Sequence, residues 1–150
     1  MITLKHPETK LITRFSLTLE RLLSKPLDSR KLIVNEDVAK QRILSAMADQ
    51  YSRKILTATV AEPVSALDLS KTYQIPITTV YRRIEELVEA GLIAAVKSGR
   101  TTDGKWYDLY RSLLKRIDVG FENGDVRIEV IVNEHVADKF TRMWSSIPKV

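Results

Sequence analysis

The apolar residues of this 150-residue chain change their spacing at Gly91. From residue 37 to residue 90 they recur every three or four positions, as on one face of a helix. After Gly91 they alternate with polar residues, as they do in a strand. Glycine readily adopts the left-handed backbone that ends many helices, so Gly91 marks a helix end. The chain is therefore expected to combine a helical part with a β part.

Capping residues and a proline divide the helical part. A helix that begins near residue 37 is expected to break near Asp49, which gives two helices. Pro63 ends the second of them, because proline cannot continue the helical hydrogen-bond ladder. Ser65, with an aspartate three residues later, forms a capping-box pattern that predicts a short helix over residues 66–73.

The helix that follows has two separable faces. Pro76 suits its first position, after a tight turn, and Gly91 ends it. Its apolar stripe must face the core and consists of Ile77, Val80, Ile84, Leu87 and Val88. The opposite side carries Thr79, Arg82, Arg83 and Glu86. A short helix, a tight turn and a second helix follow the order of a helix-turn-helix, whose second helix enters the DNA major groove.

The polar side of this second helix carries residue types that recognise nucleic acid. Arginine pairs with guanine through two hydrogen bonds, and threonine hydroxyls bond phosphate or base. The predicted DNA contacts of this helix are Thr78, Thr79, Tyr81, Arg82 and Arg83. Arg82 is the stronger candidate of the two arginines. The competing interpretation is a solvated helix face on which Arg82 pairs with Glu85 or Glu86.

A hairpin with a polar, basic loop comes next. The alternation predicts strands over 92–98 and 106–112, joined by a loop at 99–104. The cluster at its tip can hold the DNA backbone or enter a minor groove, and it consists of Lys97, Arg100, Thr101, Thr102 and Lys105. A merely soluble turn is the alternative, and Asp103 would repel phosphate unless it is turned away.

Two further elements are predicted beyond this hairpin. Alternating apolar residues over 117–132 surround Asn123-Gly124, the strongest short hairpin signal, because both positions tolerate positive φ. A terminal helix of about three turns is expected over residues 136–147. The predicted fold is α+β, a winged helix-turn-helix domain with an additional C-terminal β-hairpin and a terminal helix.

Several short runs in this order resemble the ArsR-type winged-helix regulators, especially their archaeal branch, and the related sugar-regulator type. The runs are Arg53-Lys54-Ile55-Leu56, Leu69, Thr79-Val80-Tyr81, Leu87, Ala90-Gly91-Leu92 and Tyr110-Arg111-Ser112. The resemblance covers about residues 37–112. It implies a homodimeric transcription factor that binds double-stranded DNA at a pseudo-palindromic operator. Helices outside the shared core usually form the dimer in such proteins.

The chain departs from this resemblance in three respects. Many such regulators sense metals through cysteines, and this chain has none. Gln74 stands where a glycine is common in the turn, and residues 113–150 lie outside the shared core.

The domains are predicted as a basic N-terminal arm (1–34), the winged helix-turn-helix domain (35–112), and a hairpin with a helix (113–150) that extends the sheet or supports dimerisation. The arm is expected to pack on the domain or a partner chain, or to contact nucleic acid.

Other chemistry has little support in the sequence. No serine or threonine has a neighbouring histidine base and no glycine-rich phosphate loop precedes a helix, so we predict no enzyme and no cofactor. His135 with Glu134 and Asp138 is too weak a cluster to predict a metal site. Two interpretations are open for the aromatic residues Trp106, Tyr107 and Tyr110. They stack on nucleic-acid bases, or they pack against the sheet, which their strand spacing favours. The absence of a membrane-spanning run and of cysteine fits a cytoplasmic protein.

Charge leaves two other classes of function open. The net charge is +5 with a pI of about 9.5, which favours a polyanionic partner. Residues 65–112, however, hold seven basic and six acidic residues, a net of only +1. A winged-helix protein–protein interaction module is therefore the main alternative, and an RNA-binding winged helix is a weaker one. The sequence does not identify an effector ligand.

Overall fold

The computed structural model describes residues 31–136. Most of the predicted N-terminal arm, and the terminal helix beyond a helical turn at 134–136, lie outside this range. The helices are α1 (Asp37–Ala48), α2 (Gln50–Ala61), α3 (Ala66–Tyr73) and α4 (Ile77–Glu89). The strands are β1 (Lys31–Val34), β2 (Val64–Ser65), β3 (Ile93–Arg100), β4 (Trp106–Ser112), β5 (Leu114–Glu122) and β6 (Asp125–Val132).

The described residues belong to two compact units. One unit spans residues 41–112 and holds most of α1, all of α2 to α4, and strands β2 to β4. The other combines residues 31–40 with residues 113–136 and holds β1, β5 and β6.

Local capping explains where the helices begin. The predicted break near Asp49 is confirmed, because its carboxylate accepts a 2.7 Å hydrogen bond from the backbone N–H of Ser52 and caps α2. Ser65 caps α3 in the same way, since its Oγ accepts from the N–H of Asp68 at 3.1 Å. The Ser65 hydroxyl also donates to the Asp68 carboxylate at 2.9 Å.

Helix α4 ends in a Schellman motif. Gly91 adopts a φ of 74°, and its N–H donates to the carbonyl of Val88 at 3.0 Å. The N–H of Leu92 donates to the carbonyl of Leu87 at 2.9 Å, which completes the motif. The side chain of Leu92 is fully buried, so the chain leaves the helix directly into the core. Arg42 caps the same end by donating to the carbonyl of Glu89 at 3.2 Å.

The first sheet has the strand order β2-β4-β3, and all its pairs are antiparallel. Strand β4 has the predicted bounds, whereas β3 runs two residues further than predicted, to Arg100. Arg111 on β4 donates to the carbonyls of Val60 and Ala61 at the end of α2, which ties the sheet to that helix. The fully buried apolar side chains of this unit are Ile43, Ile55, Leu69, Ile75, Val80, Leu87, Leu92 and Ile93.

The second sheet corrects one expectation from the sequence. The hairpin β5–β6 does not extend the first sheet, because β6 pairs on its other edge with β1 and forms a separate sheet in the order β1-β6-β5. Strand β1 lies within the segment predicted as an arm. The hairpin turn itself is as predicted, with φ of 54° at Asn123 and 79° at Gly124.

Candidate nucleic-acid interface

The turn between α3 and α4 is held by its own backbone and by one serine. Gln74 adopts a left-handed conformation (φ 54°, ψ 44°), which costs a residue with a Cβ roughly 1–2 kcal/mol. The N–H of Ile75 donates to the carbonyl of Ser70 at 3.1 Å, and the Ser70 hydroxyl donates back to the Ile75 carbonyl at 2.6 Å. The Ile75 side chain is buried. These contacts fix the direction in which α4 leaves α3.

Helix α4 presents the two faces that its sequence predicts. Val80, Ile84 and Leu87 are buried against the unit, whereas Val88 is half-buried. Pro76 lies at the N-cap rather than at the predicted first helical position, and no side chain of residues 31–136 caps the first N–H groups. The outer face of the first two turns exposes Thr78, Tyr81 and Arg82, and Thr79 is half-buried.

Arg82 is available to a ligand. Its side chain is exposed, and none of residues 31–136 forms a hydrogen bond or an ion pair with its guanidinium. The sequence-based alternative, in which Arg82 pairs with Glu85 or Glu86, is absent from the structure over the same range. Tyr81 next to it is 56% exposed, so the helix presents an aromatic ring beside a cation.

Arg83 lies in a different environment from Arg82. Its guanidinium binds the Asp49 carboxylate at 3.0 Å and the Glu86 carboxylate at 2.9 Å, and its side chain is only 24% exposed. Because Asp49 is the N-cap of α2, this contact joins α4 to α2. The two terminal nitrogens of the Arg83 guanidinium each bind one carboxylate, and its buried Nε has no hydrogen-bond partner among residues 31–136. A DNA contact by Arg83 stays a prediction beside this structural role.

Titration of the Arg83 cluster follows from these contacts. The hydrogen bond to Glu86 raises the pKa of Arg83, and the charge of Asp49 adds to this effect against partial burial. Burial acts to raise the pKa of Asp49, but the hydrogen bonds from Ser52 and the charge of Arg83 outweigh it. The pKa of Asp49 is therefore lowered below its ordinary value of 3.8.

The lowered pKa makes a testable contribution to stability. A carboxyl whose folded-state pKa is depressed stabilises the fold above its unfolded pKa and loses that effect as the pH falls through the folded pKa. We expect Asp49→Asn, which keeps a good N-cap, to lower the free energy of unfolding at pH 7. The difference from the wild type should shrink as the pH falls below about 3.8. Urea denaturation at several pH values measures this, and a difference that is constant with pH would contradict the assignment.

The loop between β3 and β4 is closed by Thr101. The Thr101 N–H donates to the Lys105 carbonyl at 2.8 Å, and its hydroxyl accepts from the Lys105 N–H at 2.9 Å. The same hydroxyl donates to the carboxylate of Asp103, so that carboxylate is held by the loop. Thr101 thus closes the loop, and its side chain is exposed, as are those of Lys97, Thr102 and Lys105.

Two aromatic residues support this hairpin in ways that the sequence did not show. Arg100 lies with its guanidinium carbon 5.4 Å from the ring of Trp106 on the opposite strand, and its Nε donates to the Gly104 carbonyl at 3.2 Å. Trp106 is 69% exposed, contrary to the expectation that it packs against the sheet. The ring of Tyr107 covers Gly99 across the strand pair, where any Cβ would meet the ring within 2.6 Å.

Helices α3 and α4 with their three-residue turn define this unit as a helix-turn-helix structure that carries an antiparallel hairpin. Residues 47–96 match the family model described as a helix-turn-helix domain, which is one third of the chain. This match supports a DNA-binding regulator and covers α2, α3, α4 and the start of β3. No curated protein matches the chain.

The described residues contain neither a metal-ligand cluster nor a membrane-spanning helix. Within residues 31–136, no group of three or more histidine, aspartate or glutamate side chains is placed to hold a metal ion. None of the helices in that range is long and apolar enough to cross a membrane.

Proposed function

We propose that this chain is a sequence-specific, dimeric DNA-binding transcriptional regulator of the ArsR type, similar to the archaeal branch of that group. The observation that carries the proposal is the solvent-accessible guanidinium of Arg82 on the exposed face of α4, whose opposite face is buried. The first two turns of such a helix reach base edges, and arginine pairs with guanine through two hydrogen bonds.

Neighbouring groups on α4 suit the phosphate backbone. Thr78 is exposed and Thr79 half-exposed at the first turn, where no side chain of the described residues caps the helix N–H groups. Uncapped N–H groups and the helix dipole both favour an anion at this end. We assign Arg82 and Tyr81 to the base edges or the adjacent sugars. Arg83 is a positioning residue that fixes α4 on α2.

The hairpin is the second contact region of the proposal. The cations that remain exposed there are Lys97, Arg100 and Lys105, and Thr102 adds a hydroxyl. The cation–π contact with Trp106 and the hydrogen bond to Gly104 hold the Arg100 guanidinium, and the exposed side chain can still reach a phosphate or a minor groove.

Salt dependence of DNA binding tests the role of the hairpin. Replacing Lys97 or Lys105 by alanine is expected to reduce the slope of log affinity against log salt by about 0.9 for each phosphate that the variant no longer neutralises. Lys115→Ala is the matched control, because Lys115 lies in the other unit and pairs with Glu134 at 3.2 Å. Fluorescence anisotropy with a labelled duplex gives these slopes. Equal slopes for all three variants and the wild type would rule out the hairpin contact.

Dimerisation is part of the proposal, because a pseudo-palindromic operator is read by two copies related by a twofold axis. One face of the β1-β6-β5 sheet is apolar, with Ile128 and Val130 buried on it. The same face exposes Val119 and leaves Phe121 76% exposed near the hairpin turn. We expect analytical ultracentrifugation to give twice the 17.1 kDa chain mass. A monomer at concentrations that saturate the operator would contradict this part.

A protein–protein interaction module is the second candidate function. The observation that favours it is the run of carboxylates on α4 after Arg82, where Glu85 and Glu86 are exposed and Glu89 is half-buried. Such a module would show no affinity for duplex DNA at low salt. An RNA-binding winged helix would prefer single-stranded RNA to duplex DNA in a direct competition.

A further inference from the structure

A groove with a volume of about 460 Å³ lies between α4 and the hairpin β3–β4, within one unit of the chain. Its apolar lining consists of Ile84, Val88 and Ala95. The volume is in the range of small-molecule sites, which are apolar clefts with a few polar groups. The groove is lined on the helix side by Tyr81, Glu85 and Glu89, which lie one turn apart along α4.

The polar lining of the groove has a single sign of charge. Glu85 and Glu89 approach it from α4 and Asp108 from β4, and no lysine or arginine among the described residues lines it. None of these three carboxylates forms a side-chain ion pair with residues 31–136. Carboxylates at the edge of a low-dielectric cleft focus a negative potential, which attracts a cation and repels phosphate. The groove is therefore chemically distinct from the proposed DNA surface beside it.

Two phenol rings complete the lining. Tyr81 contributes from α4 and Tyr110 from β4, where Tyr110 is paired with Ala95 of β3. Burial raises the pKa of Tyr110, and the charge of Asp108 adds to this effect, so the phenol stays neutral at physiological pH. Neutral aromatic faces attract organic cations, as in the aromatic cages that bind ammonium groups.

We propose that this groove binds a small aliphatic diamine, with one ammonium group near Glu85 and Glu89 and the other near Asp108. A bare metal ion fits less well, because within residues 31–136 these carboxylates do not converge as a set of metal ligands. Glu85 and Glu89 lie on α4 and Asp108 lies on β4, with apolar lining residues in the same groove. This arrangement suits a cation whose two charges are separated by an apolar chain. A ligand in this position lies against Tyr81, a residue of the proposed DNA surface.

Calorimetric titration of the full chain without DNA tests the site, so its outcome is independent of the proposed function. The probe is 1,5-diaminopentane at about 0.15 M salt, where nonspecific pairing is screened. We expect saturable binding of the diamine and none of the neutral 1,5-pentanediol. Glu85→Gln and Asp108→Asn should each weaken diamine binding about tenfold. Both positions are exposed, so neither change should unfold the chain.

A charge-matched control separates a site from general attraction. Glu62→Gln removes the same charge from an exposed position outside the groove, and it should leave diamine affinity unchanged. Ring-proton shifts of Tyr81 and Tyr110 in NMR spectra should follow the same binding curve as the heat. The proposal is overturned if no saturable binding occurs, or if Glu62→Gln weakens it as much as Glu85→Gln does.

Discussion

Arg82→Ala is expected to lower the affinity for a specific DNA duplex by about fivefold to 150-fold and to leave the fold intact. A good bidentate contact from arginine to guanine contributes roughly 1–3 kcal/mol of discrimination, and about 1.4 kcal/mol is a factor of ten. Arg82 is exposed and forms no hydrogen bond or ion pair with any of residues 31–136, so its removal breaks no such contact. The free energy of unfolding should change by less than about 0.5 kcal/mol.

Arg83→Ala is the matched variant, because it removes the same side chain from the next position of the same helix. Its loss breaks the ion pairs with Asp49 and Glu86, so we expect a stability loss of about 1 kcal/mol. Any effect on DNA affinity should be smaller than that of Arg82→Ala. Anisotropy and urea denaturation of both variants give the comparison. If Arg83→Ala weakened DNA binding more than Arg82→Ala did, the assignment of the two roles would be reversed.

Leu69→Ala is expected to reduce the free energy of unfolding by about 2–5 kcal/mol, the usual range for a leucine removed from a core. Leu69 is fully buried on α3, where it contributes to the core beneath the helix-turn-helix. The cost includes both the apolar surface removed and the cavity left behind, because a short capped helix relaxes only in part.

Leu67→Ala on the same helix provides the control for this change. Leu67 is 53% exposed, so the same substitution should change stability by less than about 0.5 kcal/mol. Urea denaturation followed by circular dichroism measures both variants. Similar losses for Leu67 and Leu69 would show that α3 does not pack on the face that the structure gives it.

Local signals explain why the helices and turns were predictable from the sequence. Ser65, Gly91 and the pair Asn123-Gly124 each act through backbone groups within a few residues, and each is found in the conformation that its residue type favours. The buried stripe of α4 was predictable for the same reason, because its period depends only on helix geometry.

Interactions between distant segments explain what the sequence did not show. Strand β1 has only four residues, and its place depends on β6, nearly a hundred residues later. Arg83 binds Asp49 across 34 positions, whereas rules for a single helix consider only neighbours three or four residues away. The exposure of Trp106 likewise depends on the opposite strand, where Arg100 supplies its partner.

Selection of bound duplexes from a random DNA pool tests the central proposal most directly. We expect repeated rounds with the full chain to enrich one pseudo-palindromic sequence, with half-sites about one helical turn apart. Arg82→Ala should fail to enrich it under the same salt conditions. If the wild-type chain enriched no sequence and bound random duplex no more tightly than Arg82→Ala does, the DNA-binding account of this protein would be contradicted.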